Sequence, residues 1–215
     1  VYNDWDFIES TDLLQKSSPT VLKRFDRKLG ISFGWPLGDR IKSDFSFSGF
    51  TNSDRYSNSK SFNSLDTLDN LSLDGYKTGL RLTINDLNRK QYASLGKSYS
   101  LSVYYLHVRE NYEPGTTSVS PVPVTKNHQW FRLRATAEHY FSRGSFRPGF
   151  YADVVFSNQP FFQNYFGTII NTPAFYPIQD SRTLILENFR STNYLALGAR
   201  NVIVVQPRTL DIRVE

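Results

Sequence analysis

The feature that most constrains this chain is a strict two-residue alternation between Tyr76 and Tyr105. Tyr76, Thr78, Leu80, Leu82 and Ile84 occupy one set of alternate positions, and Lys77, Gly79, Arg81, Thr83 and Asn85 the other. After a polar stretch closed by Gly96, Tyr99, Leu101, Val103 and Tyr105 alternate with Ser98, Ser100 and Ser102. Successive side chains of a strand point to opposite faces, so each run is a strand with one apolar and one polar face. The two runs and the turn between them read as one antiparallel hairpin spanning 74–110.

The pattern recurs along the chain. Leu29, Ile31, Phe33 and Trp35 alternate with Gly30, Ser32 and Gly34, and Phe45 and Phe47 alternate with Asp44, Ser46 and Ser48. Phe131, Leu133, Ala135 and Ala137 oppose Arg132, Arg134, Thr136 and Glu138; Ala152, Val154 and Phe156 follow around Asp153. Leu195, Leu197 and Ala199 begin another run, and Leu210, Ile212 and Val214 oppose Asp211 and Arg213. The chain is therefore expected to be all-β and antiparallel, with about eight strands. Residues 1–21 lack a period and read as a loop.

The connections sort by length. Short ones are expected at 37–40, 86–97, 142–147 and 204–208, and long ones at 51–73, 111–127 and 159–190. Short and long alternate, as they do when one end of every hairpin lies on one side of a bilayer. The alternating runs suit a bilayer too, which needs roughly 9–11 tilted residues per strand. These features point to an antiparallel transmembrane β-barrel segment. A soluble sheet with one wet face shares the alternation but gives no reason for the sorting.

Bulk properties are compatible. Mean hydropathy is −0.44, as a polar-lined barrel allows, and the aromatic content of 15% suits strands and interfacial girdles. Trp35, Tyr76, Tyr99, Tyr105, Trp130 and Phe141 fall near strand ends and are expected to mark two membrane interfaces. The formal charge of +5 is spread without a basic stripe, so nucleic acid is not an expected partner. Cysteine is absent, which excludes thiol chemistry, and the three histidines lack metal-binding spacing. No cofactor and no metal are expected.

Gly30-Ile-Ser-Phe-Gly34 matches the G-x-S-x-G serine-hydrolase pattern. That pattern needs a strand, a sharp turn and a helix to present its serine. Here it lies inside an alternating run, so Ser32 reads as packing and no catalytic residue is assigned. Asp74-Gly75 reads as a turn at a loop boundary.

The stretch from Thr83 to Gly96 carries a resemblance. Asn88, Arg89, Lys90, Gln91 and Tyr92 resemble the periplasmic turn of the surface-antigen barrel superfamily, in the branch of the C-terminal barrel of outer-membrane patatin-like phospholipases. Gly34-Trp-Pro-Leu-Gly38, Glu113-Pro-Gly115, His128-Gln-Trp130, Ser157-Asn-Gln-Pro160, Asn188-Phe-Arg-Ser191 and Leu210-Asp-Ile-Arg-Val-Glu215 agree in order. The resemblance implies a barrel of about sixteen strands, of which this chain is a middle segment, and a patatin hydrolase domain outside it. It implies that the 159–190 loop folds back into the lumen and that Arg190 lies near the tip of that loop, although the family's Arg-Gly-Phe tip is not matched. Arg81, Arg132, Arg134, Glu138 and Asp153 are expected to face the lumen, and Leu80, Leu82, Leu133 and Ala135 to face outward.

The expected role is anchoring, with passage of lipid or protein across the outer membrane of a Gram-negative bacterium. Expected partners are outer-membrane lipid, the barrel-assembly machinery during insertion, and a second copy in a homodimer. Two rival readings stand beside this one: a passive channel with no enzyme, and a soluble β-sandwich binding module.

Overall fold

The computed structural model describes residues 2–8, 20–57, 65–89, 92–141, 144–176, 185–206 and 210–214. Its strands are β1 (Tyr2–Ile8), β2 (Thr20–Leu37), β3 (Ile41–Tyr56), β4 (Asp69–Asn85), β5 (Gly96–Glu113), β6 (Val124–Tyr140), β7 (Phe146–Arg147), β8 (Gly149–Ser157), β9 (Ile185–Leu186), β10 (Tyr194–Ala199), β11 (Asn201–Gln206) and β12 (Leu210–Val214). One short helix, α1 (Tyr165–Ile170), lies between β8 and β9.

From β1 to β6 each strand pairs antiparallel with the next, β6 pairs with β8, and β8 pairs with β10. Pro148 separates β7 from β8, and Arg200 separates β10 from β11. A proline has no N–H to give to a ladder, so the pairing breaks there. The pairing resumes at once: Arg200 N–H donates to Gly149 O at 2.8 Å, and β11 joins β7 and β12 antiparallel. Counted through these breaks, the eight expected strands are present in sequence order. Among the described residues the outermost strands do not pair with each other, so the sheet remains open.

Two expectations are corrected. The 1–21 segment contains β1, paired with β2 from Tyr2↔Phe25 to Phe7↔Thr20. Two of the three long connections are shorter than expected, because β3 runs on to Tyr56, β4 starts at Asp69, β5 reaches Glu113 and β6 begins at Val124. The central strands are therefore 16 to 18 residues long. The reason is visible in register. One face carries the row Arg27–Thr51–Asp74–Arg109–Asn127, immediately beyond the row of Leu29 and Tyr76. Beyond that row the open face is polar and the apolar side chains, among them Leu71, Leu73 and Tyr112, lie on the other face, so the alternation changes sides while the ladder continues.

The short connections hold up better. Residues 38–40 join β2 to β3, 86–95 join β4 to β5, and 141–145 join β6 to β7, with 142–143 outside the described residues. Of the expected 204–208 turn, 204–206 belong to β11 and 207–208 lie outside the described residues. Gly96 has φ +97°, and a Cβ there would stand 2.1 Å from Asp86 O, so the 86–95 turn closes only on glycine.

The segment after β8 folds back across one face of the sheet. Phe162 and Ile170 are buried with Leu71, Leu73, Leu106, Val108 and Trp130, which point from β4, β5 and β6. The same connection reaches the far edge, where β9 pairs parallel with β1 through Phe7↔Ile185 and Ile8↔Leu186. This gives the sheet a covered face and an open face.

Candidate functional site

The open face is apolar and solvent-accessible over a broad band. Leu29, Ile31, Phe33, Phe45, Phe47, Leu80, Leu101, Val103, Phe131, Leu133 and Phe156 are all exposed on it. Leu82 and Ala135 share the face and are partly buried by neighbours. Two aromatic rows border this band. In one, Phe47, Tyr76, Tyr105 and Phe131 touch in succession across β3 to β6, with centroid separations of 5.9, 6.3 and 5.1 Å. His107 stacks on Tyr76 in the same row at 5.2 Å. In the other, His139 touches Tyr99, Phe141 and Phe150 at 6.3, 4.7 and 6.4 Å. Tyr99 and His107 on β5 are separated by about 27 Å along the strand at the usual antiparallel rise.

One expected interface residue belongs elsewhere. Trp130 lies in register with Leu106 and therefore points to the covered face. It is 4% exposed and packs edge-on against Phe162 at 6.1 Å. Alternation on β6 fixes this, because Gln129 and Phe131 take the open face.

The covered face carries the buried apolar cluster and, around it, polar groups in three zones. In the first, three carboxylates from adjacent strands hold the folded-back segment. Asp54 on β3 accepts from Asn171 Nδ2 at 2.9 Å, Asp69 on β4 from Asn164 Nδ2 at 3.2 Å, and Glu110 on β5 from Gln163 N at 2.7 Å. All three are fully buried. Each is also neutralised or saturated by the sheet. Arg24 forms a bidentate pair with Asp54 at 2.6 and 2.9 Å, Tyr112 OH donates to Asp69 at 2.9 Å, and His128 Nε2 lies 2.6 Å from Glu110. A buried carboxylate without such partners would be costly, so the clamp fixes the position of the segment.

Arg190 belongs to this zone, in the folded-back segment itself. Its guanidinium donates to Ile170 O at 2.9 Å and Thr172 O at 3.1 Å, the carbonyls at the end of α1. Burial, with the nearby Arg24, pushes it down from its ordinary value. It braces the segment internally.

The second zone is a polar hollow in the middle of the face. A cavity of about 510 Å³ is lined by Lys28, Ser32, Asp44, Ser46, Lys77, Arg81 and Tyr104, among others. A neighbouring one of about 300 Å³ shares Lys28 and Lys77 and adds Trp130 and Arg132. Tyr104 organises the hollow. A Cβ on Gly79 would meet its ring at 2.2 Å, so only glycine lets that ring lie flat. Lys77 Nζ then sits 3.8 Å over the ring, and Arg81 donates to the Tyr104 hydroxyl at 2.7 Å. Farther along, Asp153 holds Arg134 at 3.0 and 2.6 Å and accepts from Tyr194 OH at 3.0 Å. Glu138 pairs with Arg200 at 3.0 Å.

The third zone is the turn at 86–95. Asn88 Oδ1 accepts from Ser94 N at 3.0 Å and Leu95 N at 3.1 Å, which closes the turn on its own side chain. Arg89 reaches Asp211 on β12 at 3.2 Å. Arg213, also on β12, donates to Ala93 O and, at 3.0 Å, to Tyr140 OH. Tyr92 takes a left-handed φ of 49°, with Arg213 5.5 Å from its ring. Lys90 and Gln91 lie outside the described residues. Asn88, Arg89 and Tyr92 thus tuck the turn across the end of the sheet.

Arg81, Arg132, Arg134, Glu138 and Asp153 all lie on the covered face, as their register with Tyr104, Ser102 and Tyr151 requires. The clamp residues Asp54, Asp69 and Glu110 carried no sequence signal, because adjacency across strands brings them together. Ser32 lies in unbroken β2 opposite Ser46, with no elbow around it. Among the described residues no group of His, Asp and Glu could hold a metal ion. No protein-family model and no curated protein matches the chain.

Proposed function

We propose that this chain is a segment of an outer-membrane β-barrel, with its open face against lipid and its covered face lining a plugged lumen. The observation that carries this reading is the apolar band between two aromatic rows. The roughly 27 Å along the strand shortens to about 20 Å at a barrel tilt of 35–45°, and the ring widths bring it close to the roughly 25 Å of an outer-membrane apolar band. Tyrosine, histidine and phenylalanine rings at its borders suit the headgroup level. The row Arg27–Thr51–Asp74–Arg109–Asn127 marks the return to water on the long-loop side.

The segment's own work is physical. Strand-to-strand pairing satisfies the backbone, the open face anchors it, and the clamped segment limits passage through the hollow. The resemblance of Asn88 to Tyr92 supports a finer proposal: the barrel serves a patatin-like phospholipase, whose lipid hydrolysis lies outside this chain. A separate patatin domain with its own G-x-S-x-G in strand–turn–helix context would be its mark.

Membrane fractionation with gel migration before and after heating tests the barrel reading. The expected result is recovery with membranes, extraction only by detergent, and faster migration of the unheated form. Recovery as a soluble protein without detergent would overturn it.

A further inference from the structure

We infer that the hollow on the covered face is a binding site for a phosphate-type oxyanion. Its occupant is inorganic phosphate or the phosphate of a lipid headgroup, which share the chemistry the site offers. This goes beyond the barrel reading and does not need it, because the hollow exists whichever medium meets the open face.

Three observations carry the inference. First, Lys28, Lys77, Arg81 and Arg132 line two cavities that adjoin through Lys28 and Lys77. The electrostatic neighbours of Lys77 are Lys28, Arg81 and Arg132, all cations. Second, no carboxylate among the described residues forms an ion pair with any of the four. Of the acids that reach these cavities, Asp44 pairs with Lys42 at 2.8 Å, and Asp26 lies in the field of Arg24, which Asp54 holds. Third, Arg132 Nε and Trp130 Nε1 are buried donors with no acceptor among the described residues. Both residues line the second cavity, and Trp130 is 4% exposed.

Clustered cations that repel one another are costly in a partly enclosed hollow unless an anion joins them. Buried donors left without an acceptor add to that cost. A ligand that relieves both must be negative and rich in acceptors. The donors come from β2, β4 and β6, and so approach from several directions. That arrangement suits a tetrahedral oxyanion better than a planar carboxylate. Tyr104 keeps Lys77 and Arg81 apart and aimed, one over its ring and one at its hydroxyl.

The test is calorimetric titration of the full-length protein, in detergent where it requires detergent, with inorganic phosphate, acetate, and a short-chain phosphatidylglycerol below its micelle concentration. Saturable binding of phosphate, of the phospholipid, or of both is expected, and the pattern identifies the source. Lys77→Gln should weaken it roughly tenfold, the value of one charge-assisted contact, and Lys77→Arg should largely retain it. In the unmutated protein, phosphate or the phospholipid should shield Lys77 from acetylation, read by mass spectrometry. This arm holds even if a variant fails to fold. No saturable binding and no shielding would overturn the inference. So would acetate binding as tightly as the phosphate ligands, or binding that Lys77→Gln leaves unchanged.

Discussion

The open face of this sheet exposes its apolar side chains, whereas the covered face buries charged ones beside an apolar cluster. On the open face Leu29 is 85% exposed, Leu195 69% and Leu197 71%. On the covered face Asp54, Glu110 and Asp153 are 0% exposed. Ordinary folds bury the first kind of side chain and leave the second in water. An exposed apolar area this broad marks a surface built to meet something other than water. The contrast also shows where specificity resides. The open face is chemically monotonous, whereas the covered face is assigned residue by residue, with each buried acid matched to a named donor.

The largest expected effect comes from breaking the clamp. Arg24→Met removes the bidentate partner of Asp54 and leaves a fully buried carboxylate with Asn171. The expected loss of stability is about 3–5 kcal/mol, the cost of an uncompensated buried charge. Equilibrium unfolding measures it, and limited proteolysis within 158–176 should rise in parallel as the segment loosens. The double variant Arg24→Met with Asp54→Leu should recover much of the loss, because it removes the stranded charge as well. A loss below about 1 kcal/mol would mean that the pair behaves as a surface ion pair and that the covered face is wet throughout.

The next effect probes the open face directly. Val103 lies in the middle of the apolar band, equally far along β5 from Tyr99 and from His107. If that face meets lipid, Val103→Arg should cost about 2–4 kcal/mol on folding into a bilayer. Thr51→Arg lies in the polar row beyond the band and should cost at most about 1 kcal/mol. The difference between the two variants is the diagnostic quantity. Equal and small effects would break the comparison between the faces, since an exposed arginine in water costs almost nothing.

The alternation made the middle of each strand legible. It places Leu80 on the face opposite Arg81, and Leu133 on the face opposite Arg132 and Arg134. It failed where the open face turns polar. Thr51 to Tyr56 and Asn111 to Glu113 are strand in structure but mostly polar in sequence, and the alternation of Leu71 and Leu73 with Asn70 and Ser72 is short and set in a stretch rich in Ser, Asn and Asp. The ring type of Trp130 suggests an interface, while its parity on β6 assigns it inward. The clamp was illegible for a different reason. Asp54, Asp69 and Glu110 meet the folded-back segment from three strands, so no spacing within one stretch encodes them. The same holds for the hollow. Lys77 and Arg81 read only as polar-face residues until Gly79 and Tyr104 gave them fixed positions.

The smallest effect sharpens the comparison at the end of the sheet, where the 86–95 turn closes it. Asn88 supplies one carbonyl oxygen to two backbone donors, Ser94 N and Leu95 N, and its amide donates to Ser94 Oγ at 3.2 Å. Asn88→Ala removes all three bonds, leaving Leu95 N able to find water and Ser94 N, in a residue only 2% exposed, without its acceptor. The expected cost is therefore about 1–2 kcal/mol, below that of the clamp, because the groups left without a partner are neutral rather than charged. The turn also orders Arg89 and Tyr92 toward Asp211 and Arg213. Hydrogen exchange at Ser94 and Leu95 should quicken in Asn88→Ala, and that of β12 should follow by a smaller factor. If β12 exchanges unchanged, the turn is a local cap. If β12 quickens with it, the turn couples β4 and β5 to a strand that is not their ladder neighbour, and both ends of the covered face are closed by segments held through side chains.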